Sequence, residues 1–188
     1  MKRTVLSTLV LAAIPASFAS ASIVSGPVVY GGSTYYLISK NSWTGSEAEA
    51  QSMGGHLATV DDAAENAFLV EAFVMDGHIS DPLWIGYTDA AQEGAFVWAS
   101  GSTSTFTNWQ PGEPNNFGGS ENYTALNWHY AYGNTSDHGT WNDVPDAGSF
   151  GFNGTTDGPY FGIVEVVPAP GALAIVGLGG LLRVRRRR

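Results

Sequence analysis

The spacing of apolar residues changes about halfway along this 188-residue chain. In the first half, Ser33–Ser39 is rich in Tyr, Leu and Ile and alternates in polarity, which predicts a strand. Thr44–Glu47 has the spacing of a capping box, so a short helix should begin there and end at Gly54-Gly55. Asp62–Glu65 repeats the capping signal, and apolar residues at helical spacing follow over 68–73, which predicts a second helix.

From Leu83 onward the chain changes to short aromatic runs separated by Gly, Asn and Ser. These runs predict strands at Leu83–Tyr87, Phe96–Trp98, Tyr123–Trp128 and Tyr160–Val166. Two helices early and small sheets with long loops late are typical of an α+β fold. No internal repeat is evident, and the length suits one domain, residues 22–166, with a sizeable apolar core.

The N-terminal segment departs from this pattern and predicts export. Lys2 and Arg3 precede an apolar run that reaches Ile14, and the small residues Ala19-Ser20-Ala21 follow it. That order is typical of a secretory signal peptide, so residues 1–21 are predicted to be removed on export.

The C-terminal segment, residues 167–188, combines Val-Pro-Ala-Pro, an apolar stretch and an arginine cluster. The stretch Gly171–Leu182 is shorter than the ~20 residues that a permanent membrane span needs. The order resembles a bacterial PEP-CTERM sorting tail, with VPAP in place of PEP. The resemblance implies processing by an exosortase-type membrane enzyme and delivery to the cell surface or extracellular matrix, with a transient membrane anchor. A small retained C-terminal anchor helix is the alternative.

Charge separates the domain sharply from its end segments. Seven of the eight Lys and Arg residues lie in those segments, so residues 22–166 hold all 17 acidic residues against one lysine, Lys40, a formal side-chain charge of −16. This balance excludes a basic surface for nucleic acid, and any membrane contact would be made through the tail. The carboxylates repel one another unless cations neutralise them, so a bound cation would stabilise the fold. Cysteine is absent, although export would permit disulfides.

Oxygen-bearing side chains concentrate in the loop-rich segment between Glu113 and Asp143. Carboxylates mixed with neutral amides are the donors that Ca²⁺ prefers. A cis bond before Pro114 would turn the side chains of Glu113 and Asn115 toward one point. The rival interpretations are a hydrogen-bonded loop without metal, and a turn that Asn142 and Asp143 cap after Trp141.

Five motifs together resemble the C-type lectin-like domain family, over about Gly32 to Val166. The motifs are Met53–Leu57 (GGHL turn), Trp84–Tyr87 (WIGL strand), Glu113–Asn115 (EPN), Trp141–Asp143 (WND) and Phe161–Glu165 (closing strand). The resemblance implies an α+β, C-type lectin-like fold with two helices, small antiparallel sheets and a long calcium-binding loop region.

The resemblance also implies a ligand set. The implied metal ligands are Glu113, Asn115, Glu121, Asn142 and Asp143. The implied sugar contacts are Glu113, Asn115, Glu121 and Asn142, whose amides donate to two vicinal hydroxyls of the sugar and whose carboxylates accept from them. EPN rather than QPD implies mannose-, glucose- or fucose-type ligands.

A second metal site is implied more weakly. Its possible ligands are Asp89, Glu93, Asn116, Glu121 and the backbone carbonyl of Asn122. Asn116 and Asn122 replace positions that are often acidic in the family, and fewer formal charges weaken a Ca²⁺ site.

The family's two usual disulfides are also replaced. By resemblance, Ala50 with Val164 and Tyr123 with Asp146 take their positions. The first pair suits an apolar core contact, whereas the second leaves the long loop without its covalent link, so bound metal would have to order it.

These observations predict an exported Ca²⁺-dependent carbohydrate-binding module whose partner is a glycan or exopolysaccharide. The alternative is a calcium-stabilised adhesive or structural matrix domain that binds protein and no sugar. An enzyme is disfavoured, because each acid with a recognisable pattern is better explained as a metal ligand than as one of a glycosidase pair. No Gly-rich phosphate loop is present, and the histidines lack the spacing of a zinc site.

Overall fold

The computed structural model describes residues 22–77, 79–128, 138–149 and 158–168. The predicted signal peptide and all but the first two residues of the predicted sorting tail lie outside these ranges, as does most of the 127–139 stretch, which by resemblance is longer than its counterpart in the family. No helix within these ranges is long and apolar enough to cross a membrane.

Two short helices and eight strands make up the described fold. The strands are β1 (Ile23–Tyr30), β2 (Ser33–Asn41), β3 (His56–Leu57), β4 (Leu83–Thr88), β5 (Val97–Trp98), β6 (Tyr123–Leu126), β7 (Trp141–Val144) and β8 (Tyr160–Val166). The helices are α1 (Trp43–Ser52) and α2 (Ala63–Leu69), and α2 continues as a π-helical turn over Val70–Met75.

The strands join into one sheet rather than the separate small sheets that the sequence predicts. The order is β1-β2-β8-β4-β6-β7, with β3 on β8 and β5 on β4. Every pairing is antiparallel except that of β4 with β8, which is parallel. The α+β class and the two helices are confirmed, and β8 joins the two halves of the sheet.

Helix α1 begins earlier than its capping-box pattern predicts. Ser42, not Thr44, is the N-cap, and its hydroxyl accepts from the amide of Gly45 at 3.1 Å. Thr44 instead donates its amide and hydroxyl to the Asp146 carboxylate at 2.8 and 3.0 Å. The partner of Thr44 is therefore 102 residues away, which a local pattern cannot reveal. The predicted cap of α2 is confirmed, because Asp62 accepts from the amide of Glu65.

Three strands escape the sequence prediction. Strand β1 lies at the sheet edge and is mostly exposed, so it lacks a clear apolar alternation. Strands β3 and β7 are short and coincide with segments assigned to motifs. The prediction that β6 reaches Trp128 is wrong, because Asn127 has a positive φ of 69° and turns the chain out of the strand.

The core is formed by aromatic and aliphatic side chains on both faces of the sheet. Trp84 and Trp141 are fully buried, and Trp109 packs half-buried against the larger cluster. Ala50 and Val164 lie with Ile38 in one buried cluster, so an apolar contact takes the place of the first family disulfide.

Candidate functional site

Strand β7 holds the segment that carries the EPN motif in place. The Glu113–Pro114 peptide bond is cis, as expected. The backbone amides of Asn115 and Asn116 donate to Oδ1 and Oδ2 of Asp143 at 3.0 and 2.8 Å. Asp143 lies on β7, directly beside Thr124 of β6, and only 1% of it is exposed. A buried carboxylate on a paired strand thus fixes the position of the loop.

The next turn of the loop is closed by a reciprocal pair of hydrogen bonds. The amide of Phe117 donates to Oε2 of Glu121 at 2.6 Å, and the amide of Glu121 donates to Oδ1 of Asn116 at 3.1 Å. Asn116 takes a left-handed conformation with φ of 46°, which Asn tolerates better than most residues. Phe117–Gly119 then forms a 3-10 turn that returns the chain to Glu121.

Two carboxyl groups of the site hold their protons unusually tightly. Burial, together with the charge of Asp143 and a hydrogen bond between the two side chains, raises the pKa of Glu113 to about 7. Burial also raises the pKa of Glu121 to about 7, and the charges of Asp143 and Glu113 add to the effect, while the Phe117 amide opposes it. Burial and the charges of neighbouring carboxylates are the causes of both shifts, and a bound cation would oppose them.

A cavity of about 570 Å³ opens beside these groups. Four of the five predicted metal ligands line it, namely Glu113, Asn115, Glu121 and Asn142. Asp143 is absent from the lining, and its carboxylate instead accepts a hydrogen bond from the loop backbone. Oδ1 of Asn142 is buried and has no hydrogen-bond partner. An unpaired buried amide oxygen is costly, so a ligand there would stabilise it.

The carboxylates of the site do not form a complete set of metal ligands in this conformation. Within the described ranges, no three His, Cys, Asp or Glu side chains form such a group. Asp143 and Glu121 use oxygen atoms to accept backbone amides, and the rest of the set is Glu113 with the amides of Asn115 and Asn142. Ion binding would thus require adjustment of the loop.

Four of the five residues of the weaker second set fall into two groups, and Glu93 belongs to neither. Asp89 is 2% exposed, accepts from the Gly94 amide at 2.8 Å and leaves its Oδ1 buried without a partner. The Asn122 carbonyl accepts from the Asp89 amide and the Thr88 hydroxyl. Asn116 and Glu121 pair with each other instead, and Glu93 is exposed. No hydrogen bond joins the two groups among these contacts.

Sequence reasoning missed the apolar part of the cavity. Phe117, Trp128 and Pro145 line it together with Ser149. Phe117 is 80% exposed, the highest exposure among the large hydrophobic side chains of the described ranges. An isolated Phe between Asn and Gly in a polar loop was the one available signal for this surface.

The comparison with known proteins identifies the domain. The sequence profile described as the Lectin C-type domain matches residues 39–152. Ladderlectin of Oncorhynchus mykiss is 37% identical over 116 residues, which cover 61% of this chain and 57% of that protein. The hepatic lectin of Gallus gallus is 38% identical over 112 residues, 58% of this chain and 47% of that protein. The chain thus spans about half the length of these curated relatives.

A solved structure supports the same assignment at the level of the fold. The C-type lectin CEL-I from Cucumaria echinata superposes with a TM-score of 0.59 at 23% identity, over 73% of this chain and 91% of that one. The chain therefore belongs to the lectin C-type domain family.

Proposed function

We propose that residues 22–166 form a Ca²⁺-dependent carbohydrate-binding module. The observation that carries the proposal is the buried, unpartnered Oδ1 of Asn142 in the wall of a cavity that also exposes Glu113 and Glu121. A neutral amide oxygen beside carboxylates of raised pKa suits a hard cation with mixed oxygen ligands. Both curated relatives reported above are named lectins, which favours binding over catalysis.

The residues present fit calcium. Glu113, Asn115, Glu121, Asn142 and Asp143 would hold the ion with three carboxylates and two amides. When bound, calcium supplies coordination positions that two sugar hydroxyls can complete. The Asn115 and Asn142 amide nitrogens can then donate to those hydroxyls, and Glu113 and Glu121 can accept from them. A hydroxyl with all its hydrogen bonds made loses little on leaving water.

The preferred sugars are proposed to be of the mannose, glucose or fucose type. The proposal rests on the order of groups across Pro114, where a carboxylate precedes an amide. One small polar site buries few atoms, so affinity for a monosaccharide should be weak, on the order of 1 mM. Many copies on a surface or matrix would raise retention of a polymeric glycan or exopolysaccharide.

The experiment compares mannoside binding with calcium and with chelator. We expect binding of methyl α-mannoside in calcium only, and its loss in Asn142→Ala. Gln92→Ala is the matched control, because its amide is exposed and lies outside the cavity. Equal binding in chelator, or an Asn142→Ala variant that binds like the parent, would contradict the proposal.

A calcium-stabilised matrix domain without sugar binding is the second candidate. It is favoured by the hydrogen bonds that Asp143 and Glu121 make to the loop backbone, since these order the loop without any sugar. The two candidates differ at exposed Asn115, whose amide oxygen would serve the ion in both cases and whose amide nitrogen only a sugar ligand requires. Asn115→Ala should abolish mannoside binding in the first case. In the second case the parent itself binds no mannoside, and the variant should lose only part of the calcium stabilisation.

We further propose that the chain is exported and delivered to the cell surface or matrix. The support is the sequence order of residues 1–21 and 167–188, which suits a cleaved signal peptide and an exosortase-processed tail. Mass spectrometry of the surface protein should find a start near Ser22 and no Arg183–Arg188. An intact C-terminus would favour the retained anchor.

A further inference from the structure

The cavity of the proposed sugar site is lined by two kinds of residue. Glu113, Asn115, Glu121 and Asn142 carry the polar chemistry. Phe117, Trp128 and Pro145 supply apolar surface, together with Ser149. The volume of about 570 Å³ lies within the range of pockets for drug-sized ligands, which exceeds the needs of one ion and two hydroxyls.

The polar groups of Trp128 and Ser149, which line the cavity beside its apolar residues, already have partners inside the protein. The indole Nε1 of Trp128 donates to the Ser149 hydroxyl at 2.9 Å. The Ser149 amide donates to the Tyr160 hydroxyl at 3.0 Å, and the two hydroxyls lie 3.0 Å apart. A hydroxyl-bearing group placed against this wall would leave water without gaining equivalent hydrogen bonds.

An apolar ligand group would instead gain free energy by leaving water at this surface. Pro145 and the Trp128 ring are fixed parts of the wall, since Trp128 is only 9% exposed and packs in the cluster around Trp43 and Tyr160. Phe117 stands at the rim and is 80% exposed in the absence of ligand. A ligand group that covered this ring would remove apolar surface from water on both sides.

We infer that the ligand is a glycoside or glycoconjugate carrying an aryl or acyl substituent, whose sugar contacts the polar residues of the cavity while the substituent lies against Phe117, Trp128 and Pro145. The inference rests on the proposed carbohydrate function and specifies its ligand class. One cavity is lined by both kinds of residue, so a single ligand can contact the polar groups with its sugar and the apolar surface with its substituent.

The test uses the full-length chain in saturating calcium and compares affinities by calorimetry. The probes are methyl α-mannoside, two derivatives with a phenyl group (one at O1, one benzoylated at O6) and a mannose disaccharide. We expect at least one phenyl derivative to bind about tenfold tighter than methyl α-mannoside, as for partial burial of one ring. Its binding should show a more negative heat-capacity change, and the disaccharide should gain little.

Two variants test which residues produce the phenyl preference, which is measured as the ratio of the affinity for the phenyl derivative to that for methyl α-mannoside. Phe117→Ser should reduce the phenyl preference to below about twofold, because the rim of the apolar surface is lost. Val29→Ser is the matched control, since Val29 is 69% exposed on β1 and does not line the cavity. The control should keep the tenfold preference.

Several results would overturn the inference. They are equal affinities for the phenyl and methyl compounds, a disaccharide that gains as much as the phenyl group, and a preference that survives Phe117→Ser or falls equally in Val29→Ser. If no mannoside binds at all, the carbohydrate function itself fails and the inference falls with it. That result differs from binding of methyl α-mannoside without any phenyl preference, which leaves the function intact.

Discussion

Two buried asparagines of similar exposure show how differently an amide can be used. Asn66 is 6% exposed, donates to the Gly139 carbonyl at 3.0 Å and accepts from the Trp141 indole at 2.9 Å. Asn142 is 5% exposed, and its Oδ1 has no such partner. The first amide supports the core, whereas the second faces the cavity with an unmet acceptor, as a ligand-binding group would.

The raised pKa values of Glu113 and Glu121 give the site a pH dependence. In the folded protein both stay protonated up to about 7, above the ordinary value of a glutamate. A folded-state pKa above the unfolded one stabilises the metal-free fold at low pH, and this contribution is lost as pH rises through about 7. Calcium requires the ionised forms, so its binding has the opposite trend and releases protons.

We therefore predict that calcium affinity falls at least about tenfold between pH 7.5 and pH 5.5. An optical calcium indicator, calibrated at each pH, measures the affinity directly. Glu121→Gln should bind more weakly and show a flatter profile, because one titrating ligand is gone. A parent profile that is flat across this range would mean that neither glutamate meets the ion.

Exchange of the groups across Pro114 tests the sugar class. Glu113→Gln with Asn115→Asp reverses acceptor and donor while the total ligand charge is kept. Mannose-type binding should weaken by roughly 1–3 kcal/mol through mispaired groups, and calcium stabilisation should largely survive. Glycan binding measured with and without chelator checks both. A double variant that binds mannosides like the parent would favour the matrix-domain alternative.

At the scale of elements, the first turn of helix α1 is capped by a carboxylate that is distant in sequence. It has no acidic residue in its first turn, and Asp146 supplies one from the loop after β7. The Asp146 carbonyl also accepts from the Trp43 amide at 2.9 Å. This polar contact ties the long loop to α1. The expectation from sequence that metal alone must order the loop was therefore incomplete.

We predict that Asp146→Ala lowers the free energy of unfolding by about 1 kcal/mol, the usual cost of a lost N-terminal cap. Urea denaturation at pH 7 measures it. Asp76→Ala is the matched control, because it removes the same charge at the C-terminal end of the helical segment, where an acid is unfavourable. Equal destabilisation by both substitutions would point to net charge rather than capping.

Elements with strong local signals were predictable from the sequence, and elements defined by distant partners were not. Asp62 caps α2 through Glu65, three residues further on, and β4 and β8 are marked by their own runs of apolar and aromatic residues. Helix α2 and these strands were therefore predictable. The role of Asp146 depends on Thr44, which no local pattern indicates. The polar half of the site was predicted from motifs, but Trp128 and Pro145 lie on its wall only because β6 and β7 pair there.

Across the whole molecule, the acidic balance links the site to stability. Lys40 is the only Lys or Arg between residues 22 and 166, and it pairs with Asp81 at 3.1 Å in a half-exposed bridge. An exposed pair of this kind contributes little. Burial and the charge of Asp143 raise the pKa of Glu113 and Glu121 to about 7, so below that pH protonation, rather than a basic side chain, relieves the repulsion among these carboxylates.

Calcium should accordingly raise the thermal midpoint of the protein, and chelator should reverse the rise. A ligand that binds only the folded state at a hundredfold excess over Kd adds ~2.7 kcal/mol. General screening of the acidic surface would act through ionic strength alone, so sodium chloride at matched ionic strength separates the two effects. Asn142→Ala should lose most of the calcium increment but retain the response to sodium chloride, because the surface charge is unchanged. Calorimetric scans with the same midpoint in calcium and in chelator would show that this loop orders itself without the ion, and the matrix-domain function would then have to do without calcium as well.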